Sequence, residues 1–254
     1  MGIEASLIFG LLGLIIGSFL NVIIYRLPKG ESIVFPGSHC TTCGHHLRPW
    51  ELIPILSFLF LRGRCSMCKT KISWRYPLLE LLNGVLYFYA TWLNDTGSIL
   101  QLVINLYFLS TLLVLAGIDW DTYRLPDMFT LPLLVIGIGT GFVLPHGPLG
   151  WESLGTALGV GGVFWLIAWY YPEGMGLGDV KLIAGLGAFL GVPEIFIALF
   201  IASFVGSIVG LIMISFQMKT FRDQIPFGPY LVLGAWIAFF WGEKLIAVYT
   251  TIVS

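Results

Sequence analysis

The stretch Ile118-Asp119-Trp120-Asp121-Thr122-Tyr123-Arg124-Leu125-Pro126-Asp127 is a polar island between two long apolar runs, 99–118 before it and 128–145 after it. A second island, Gly174-Met175-Gly176-Leu177-Gly178-Asp179, stands ahead of a further apolar run at 180–192. A carboxylate costs roughly 2.5 to 3.5 kcal/mol at a bilayer centre and less near its edge. With 14 acidic residues in a chain of 254, aspartates at the mouths of apolar runs mark a candidate site, and the runs themselves decide the fold.

Outward from the islands the same pattern repeats. Apolar runs at 5–25, 78–94, 99–118, 128–145, 153–171, 180–192, 195–216 and 227–248 are separated by short polar segments and one long one. The chain is 57% hydrophobic and only 11% charged, against roughly 25% charged in a soluble domain. Spanning hydrocarbon takes about 20 apolar residues, and lipid offers no partner to a bare backbone, so each run is expected to be helical. The expected fold is all-α: a polytopic integral membrane protein of about eight transmembrane helices with one loop domain. The first run carries no basic residues ahead of it, only Glu4, which reads as a retained span entering from outside rather than a secretory signal. A net charge of -1 says little about partners; membrane lipid is one, and no nucleic acid is expected.

Eight of the thirteen Lys and Arg residues, Arg26, Lys29, Arg48, Arg62, Arg64, Lys69, Lys71 and Arg75, lie in or beside the long segment between the first two runs. The excess of cations in cytoplasmic loops places that segment in the cytoplasm. The other loops then alternate: Asn94-Asp95-Thr96-Gly97 and Pro145-His146-Gly147-Pro148 fall outside, and Arg124, Lys181, Lys219 and Arg222 fall inside, with Lys244 against the count. Asp119 and Asp179 thus open on one face, the cytoplasmic one.

All four cysteines sit in the long loop, as Cys40-Thr41-Thr42-Cys43 and Cys65-Ser66-Met67-Cys68. Two such pairs, each on a tight turn such as Cys43-Gly44, suit one tetrahedral zinc ion. Two disulfides or four free thiols are the alternatives, the former disfavoured in a reducing cytosol. A closed four-cysteine site has no open coordination position, so its role would be structural, supplying folding energy to a short polar loop. His39, His45 and His46 flank the first pair as competing ligands or as solvated or supporting groups.

Asp121 and Asp127 have ready explanations as solvated or helix-capping groups, Asp127 following Pro126 at a helix start. Asp119 and Asp179 make a different kind of pair. Two carboxylates held close share one proton, so that one can take a proton from water while the other gives one to a scissile carbonyl. The glycines at 174, 176 and 178 permit close backbone approach before Asp179. No Gly-x-Ser-x-Gly, His-Glu-x-x-His or P-loop pattern occurs.

These motifs resemble the type IV prepilin peptidase family, along nearly the whole chain. The resemblance is carried by Gly17-Ser18-Phe19-Leu20-Asn21-Val22-Ile23-Ile24-Tyr25-Arg26-Leu27-Pro28, Pro36-Gly37-Ser38-His39-Cys40, Trp50-Glu51-Leu52-Ile53-Pro54, Leu61-Arg62-Gly63-Arg64-Cys65, Arg75-Tyr76-Pro77-Leu78-Leu79-Glu80, the two aspartate islands and Pro226-Phe227-Gly228-Pro229. It implies a bacterial inner-membrane GxGD aspartyl protease with Asp119 and Asp179 catalytic. Such an enzyme removes the basic leader of type IV prepilins or type II secretion pseudopilins at the cytoplasmic face, then N-methylates the new terminus with S-adenosylmethionine. It further implies a division into a first helix (1–27), a four-cysteine loop domain associated with methyl transfer (28–77) and a membrane peptidase domain (78–254). Methyl transfer needs a neutral amine and hence a proton acceptor; Glu51 and Glu80 are the candidates within the matched motifs, a loop salt bridge being the plainer role for each. Competing readings are a peptidase without methyl transfer, an ion-coupled transporter using the aspartates as cation sites, and a noncatalytic pilus-assembly scaffold. The sequence leaves the oligomeric state open.

Overall fold

The computed structural model describes residues 2–94, 98–144, 148–172, 174–218, 220 and 223–253. Asp95, Thr96, Gly97, Pro145, His146, Gly147, Lys219 and Arg222, read above as loop residues, lie outside the described residues. The chain forms two compact units, Met1–Val114 and Leu115–Ser254.

In the first unit α1 (Ile3–Arg26) packs along α3 (Arg75–Trp92), with a loop between them that holds the short helix α2 (Leu56–Phe60). Small residues make the approach possible. A Cβ on Gly13 would stand 2.8 Å from the Asn83 carbonyl and the Tyr87 Cβ, and one on Gly17 2.8 Å from the Glu80 Cα. Without a hydrophobic drive between helices in lipid, such close contact and buried polar bonds hold them together. Asn83 Nδ2 donates to the Gly13 carbonyl at 2.7 Å, and Asn83 Oδ1 accepts from Ser110 Oγ at 3.0 Å. Ser110 lies on α4 (Ile99–Thr122), a helix that continues into the second unit, and its hydroxyl also meets Tyr87 Oη at 2.9 Å.

The second unit contains the last turns of α4, then α5 (Asp127–Val143), α6 (Gly150–Tyr170), α7 (Leu177–Leu190), α8 (Glu194–Ser215) and α9 (Gly228–Val253). The helix α7 is its centre, touching α5, α6, α8 and α9. Its sequence explains why: Gly185 meets Leu133 of α5, Ala188 meets Gly137 of α5, Ala184 meets Gly161 of α6 and Gly187 meets Thr156 of α6, all at van der Waals range or closer for an added Cβ. Leu182, Ile183 and Leu186 of α7, Leu133, Ile195 and Leu231 are completely buried around it.

Every one of the eight apolar runs is a helix: α1, α3, α4, α5, α6, α7, α8 and α9 in order. Five of them, α1 with the turn after it, α4, α6, α8 and α9, are long and apolar enough to cross a membrane. The protein is an all-helical, multi-pass membrane protein.

Candidate active site

Of the first island's carboxylates, only Asp119 is buried. It lies in the last turn of α4, whose preceding residues Leu115 and Ile118 are packed against the core. Its Oδ2 accepts the backbone N–H of Gly228 at 2.9 Å. Gly228 is the first residue of α9, so the Asp119 carboxylate faces a helix N-terminus, where unpaired N–H groups and the helix dipole favour negative charge.

Asp179 lies in the first turn of α7, which starts after Gly176. It belongs to the same compact unit as Asp119. Its Oδ1 is buried and has no hydrogen-bond partner, while its Oδ2 sits beside Gly176. The glycines ahead of it act by close approach rather than by unusual torsion. A Cβ on Gly178 would touch the Leu125 Cβ at 3.0 Å, and one on Gly176 would stand 3.3 Å from Asp179 Oδ2. The structure therefore joins the two islands in one unit, with Leu125 of the first packed on Gly178 of the second.

The other two acids of the first island go elsewhere. Asp121 is exposed. Asp127 is not a helix cap: Pro126 holds the cap position, and the Asp127 carboxylate is taken by Lys181 of α7 at 2.6 and 2.8 Å. The capping expectation for Asp127 is corrected to an ion pair between α5 and α7, formed because Asp127 lies one residue inside the helix.

In the first unit the four cysteine Sγ atoms all lie within 4.8 Å of one another. Cys40 and Cys68 are 3.8 Å apart, Cys43 and Cys65 4.0 Å. Zn–S bonds of about 2.3 Å in a tetrahedron require sulfurs about 3.8 Å apart, whereas a disulfide requires about 2.05 Å. The set fits a metal and not two disulfides. Each pair sits on the same kind of turn. Cys40 N–H donates to the His45 carbonyl and Gly44 N–H to that of Cys40; Cys65 N–H donates to Thr70 and Lys69 N–H to Cys65. Gly44 and Lys69, each following the second cysteine of its pair, take the matching positive φ of 71° and 60°. The Thr70 hydroxyl and backbone N–H hold the Cys68 thiol down to about 6. Cys43 is pushed up to about 11, because loss of water and the crowded sulfurs outweigh the His45 N–H that favours its thiolate. Four sulfurs this close could hold one metal ion between them. The histidines are not in the cluster: His39 Nδ1 contacts the Gly37 carbonyl at 3.0 Å, and His45 Nε2 contacts Glu51 Oε2 at 3.1 Å.

Glu51 and Glu80 are both buried, and among the described residues neither forms the salt bridge to a lysine or arginine that was its plainer expected role. Glu51 Oε2 accepts the Arg48 N–H at 2.7 Å, closing the start of the 3₁₀ turn Pro49–Leu52. Glu80 Oε2 accepts the Ile55 N–H at 2.8 Å. Ile55 adopts φ 61°, ψ -51°, and Leu56 N–H bonds to the Pro54 carbonyl across it. This is a γ-turn of the rare, strained kind, at a β-branched residue. Glu80 is the group that fixes its amide.

Residues 11–94 match the model of the bacterial peptidase A24 N-terminal domain, and residues 106–211 that of the type IV leader peptidase family. A prepilin leader peptidase/N-methyltransferase of Pseudomonas aeruginosa is 39% identical over 272 residues, covering 94% of this chain and 91% of that protein. The chain belongs to the type IV leader peptidase family. Proteins of the same name from Aeromonas hydrophila and Neisseria gonorrhoeae are 37% and 38% identical, covering 97% and 90% of this chain and 93% and 87% of their own length. No solved structure matches.

Two residues of this leader peptidase went unassigned in the sequence. Gly228 appeared only as part of a matching motif; its bond to Asp119 spans 109 positions and leaves no local signal. Arg26 appeared only as a loop cation. It is buried at the end of α1, donating to the carbonyls of Ser32 (3.0 Å), Pro36 (2.7 Å) and Gly37 (3.2 Å), which turns the chain into the loop.

Proposed function

We propose that the protein cleaves the leader from a prepilin or pseudopilin with Asp119 and Asp179, and N-methylates the new terminus. The observation that carries the first activity is a buried carboxylate, Asp119, bonded to the start of α9, together with a half-buried one, Asp179, whose buried Oδ1 is unpartnered. Asp119, bonded at Oδ2 by the Gly228 N–H, is the better seat for negative charge and takes a proton from water. Asp179 Oδ1 lacks a partner and gives its proton to the scissile carbonyl oxygen as hydroxide adds to the carbon. The proton held on Asp119 then passes to the amine nitrogen as the C–N bond breaks, and one hydroxyl of the gem-diol returns its proton to Asp179, which leaves the carboxylic acid and restores the pair. Substrate arrives from the cytoplasmic face of a bacterial inner membrane, on the reading of eight spans with the cation-rich loop inside.

For the second activity S-adenosylmethionine supplies the methyl group. Glu51 and Glu80, each fixed by a backbone N–H, are the proposed acceptors for the amine proton. The four cysteines hold zinc as a structural centre of the 28–77 segment, between a first helix at 1–27 and the peptidase portion at 78–254. The aspartates lie in one compact unit and the cysteines and glutamates in the other, which supports two separable chemistries.

The deciding experiment incubates purified full-length protein with a prepilin and methyl-labelled S-adenosylmethionine. Asp119→Asn and Asp179→Asn each abolish cleavage; Glu51→Gln and Glu80→Gln cleave but leave the mature terminus unlabelled. Full cleavage by either aspartate variant removes that residue from catalysis, and cleavage without label by the wild type leaves the peptidase alone.

A further inference from the structure

The loop of the first unit carries a feature that neither chemistry uses. Arg62, Arg64 and Lys69 line one pocket of about 520 Å³ together with Phe60 and Leu61. None of the three cations meets a carboxylate: Lys69 Nζ donates to the Ser66 carbonyl, and the guanidinium groups of Arg62 and Arg64 have no partner among the described residues. Beside them α2 turns its apolar side chains outward. Phe60 is 83% exposed, and Leu56 and Leu59 are exposed as well.

The depth of this element is set by a bond already described. Ile55, at the start of α2, is tied to Glu80, which lies more than one turn inside α3 and packs against Gly17 of α1. At that level α3 already presents exposed Leu78 and Leu81, and α1 exposed Phe19. The loop therefore dips to where its neighbouring helices have become apolar, instead of standing away from them in water.

We propose that Leu56–Lys69 is an interfacial anchor. Leu56, Leu59 and Phe60 enter the boundary between headgroups and acyl chains, and the pocket of Arg62, Arg64 and Lys69 holds the phosphate of an anionic phospholipid. Apolar side chains flanked by clustered cations are the combination that binds anionic membrane surfaces. A cation in that position contributes roughly 5-fold in affinity, so the three together are expected to contribute on the order of 100-fold.

The test is native mass spectrometry of the full chain from neutral detergent micelles containing equal amounts of phosphatidylglycerol and phosphatidylcholine. The wild type retains phosphatidylglycerol preferentially, and the triple variant Arg62→Gln, Arg64→Gln, Lys69→Gln loses that preference. Lys29→Gln, which alters a cation stacked on Tyr25, keeps it, as does the charge-conserving pair Arg62→Lys, Arg64→Lys. Phe60→Ser weakens retention of both lipids without changing their ratio. A triple variant with wild-type preference overturns the proposal, as does a lysine pair that loses as much as the glutamine variant. Displacement of the lipid by inorganic phosphate at equal concentration also overturns it, and assigns the pocket to a soluble anion.

Discussion

Replacing Gly228 with alanine adds one methyl group at the point where α9 begins and Asp119 is held. That Cβ would stand 2.7 Å from Asp119 Oδ2, 3.1 Å from its Cγ and 3.2 Å from its Cβ. Ordinary van der Waals contact lies at 3.4–4 Å, so the carboxylate and the helix start must separate by about 0.7 Å. The 2.9 Å bond from the Gly228 N–H then stretches to about 3.6 Å, outside hydrogen-bond range. A displacement near 1 Å in a catalytic group can cost on the order of 100-fold in rate, so kcat for prepilin cleavage is expected to fall roughly 10- to 100-fold. KM should hardly change, because no proposed substrate contact is removed. Folding should survive: alanine is the better helix former, by about 1 kcal/mol. The assay is initial rates of prepilin cleavage by detergent-solubilised full-length protein over a range of substrate, beside helix content and thermal unfolding of the same sample. A kcat within two-fold of wild type refutes the reasoning. So does a loss of activity matched by loss of folded protein, since the methyl group would then act on the fold and not on Asp119.

Asp127→Asn removes the pairing with Lys181; both partners are at least a third exposed, so stability should change by less than about 1 kcal/mol. Cleavage should persist in that variant, and its loss would put Asp127 in the machinery. Elemental analysis should find one zinc per chain, with metal lost in Cys65→Ser or on prolonged chelation; a metal-free wild type would exclude the structural centre. The Glu51 carboxyl is held below its usual range, first by the Arg48 N–H, then by the Ser66 hydroxyl and by His45. Its contribution is therefore present above the unfolded value of about 4.3 and lost as pH falls through the lower folded value. The protection of the Arg48 amide, its exchange measured against the intrinsic rate at each pH, should fall across that acid range in the wild type; in Glu51→Gln it should already be low at neutral pH, and a well-protected amide there would show that the carboxylate is not what protects it.

What could be read from the sequence, and what could not, follows the range of each interaction. The two C-x-x-C pairs were legible because each is a single turn of fixed length, and the turn residue after each second cysteine, Gly44 or Lys69, repeats the geometry. The eight helices were legible because an apolar run in or beside lipid has to bond its own backbone, and a helix does so within the segment. Asp119 was separable from Asp121 and Asp127 only by resemblance, since three acids within nine residues look alike until burial and the Lys181 contact are known. The clamp on Asp119 comes from a backbone N–H, which every residue but proline possesses, so composition could not single out Gly228. The strained turn at Ile55 was hidden for the same reason: nothing about an isoleucine announces positive φ, and its partner Glu80 lies 25 positions away.

The helix that bears Asp179 also bears on how water reaches a site on apolar helices. With 14 residues α7 is about 21 Å long, short of a hydrocarbon layer about 30 Å thick. It is enclosed by α5, α6, α8 and α9 instead of lipid, so its ends need not reach the membrane surface. Residues 174–176 ahead of it are non-helical. Irregular backbone at membrane depth is tolerated only where protein covers it or water lines it. Proteolysis consumes a water molecule, and both aspartates sit where this short helix begins and α4 ends. A longer α7, or one faced by lipid, would carry Asp179 out to the surface or seal it in hydrocarbon. The glycines that let α5 and α6 close around α7 are therefore part of what holds so short a helix in place under Asp179.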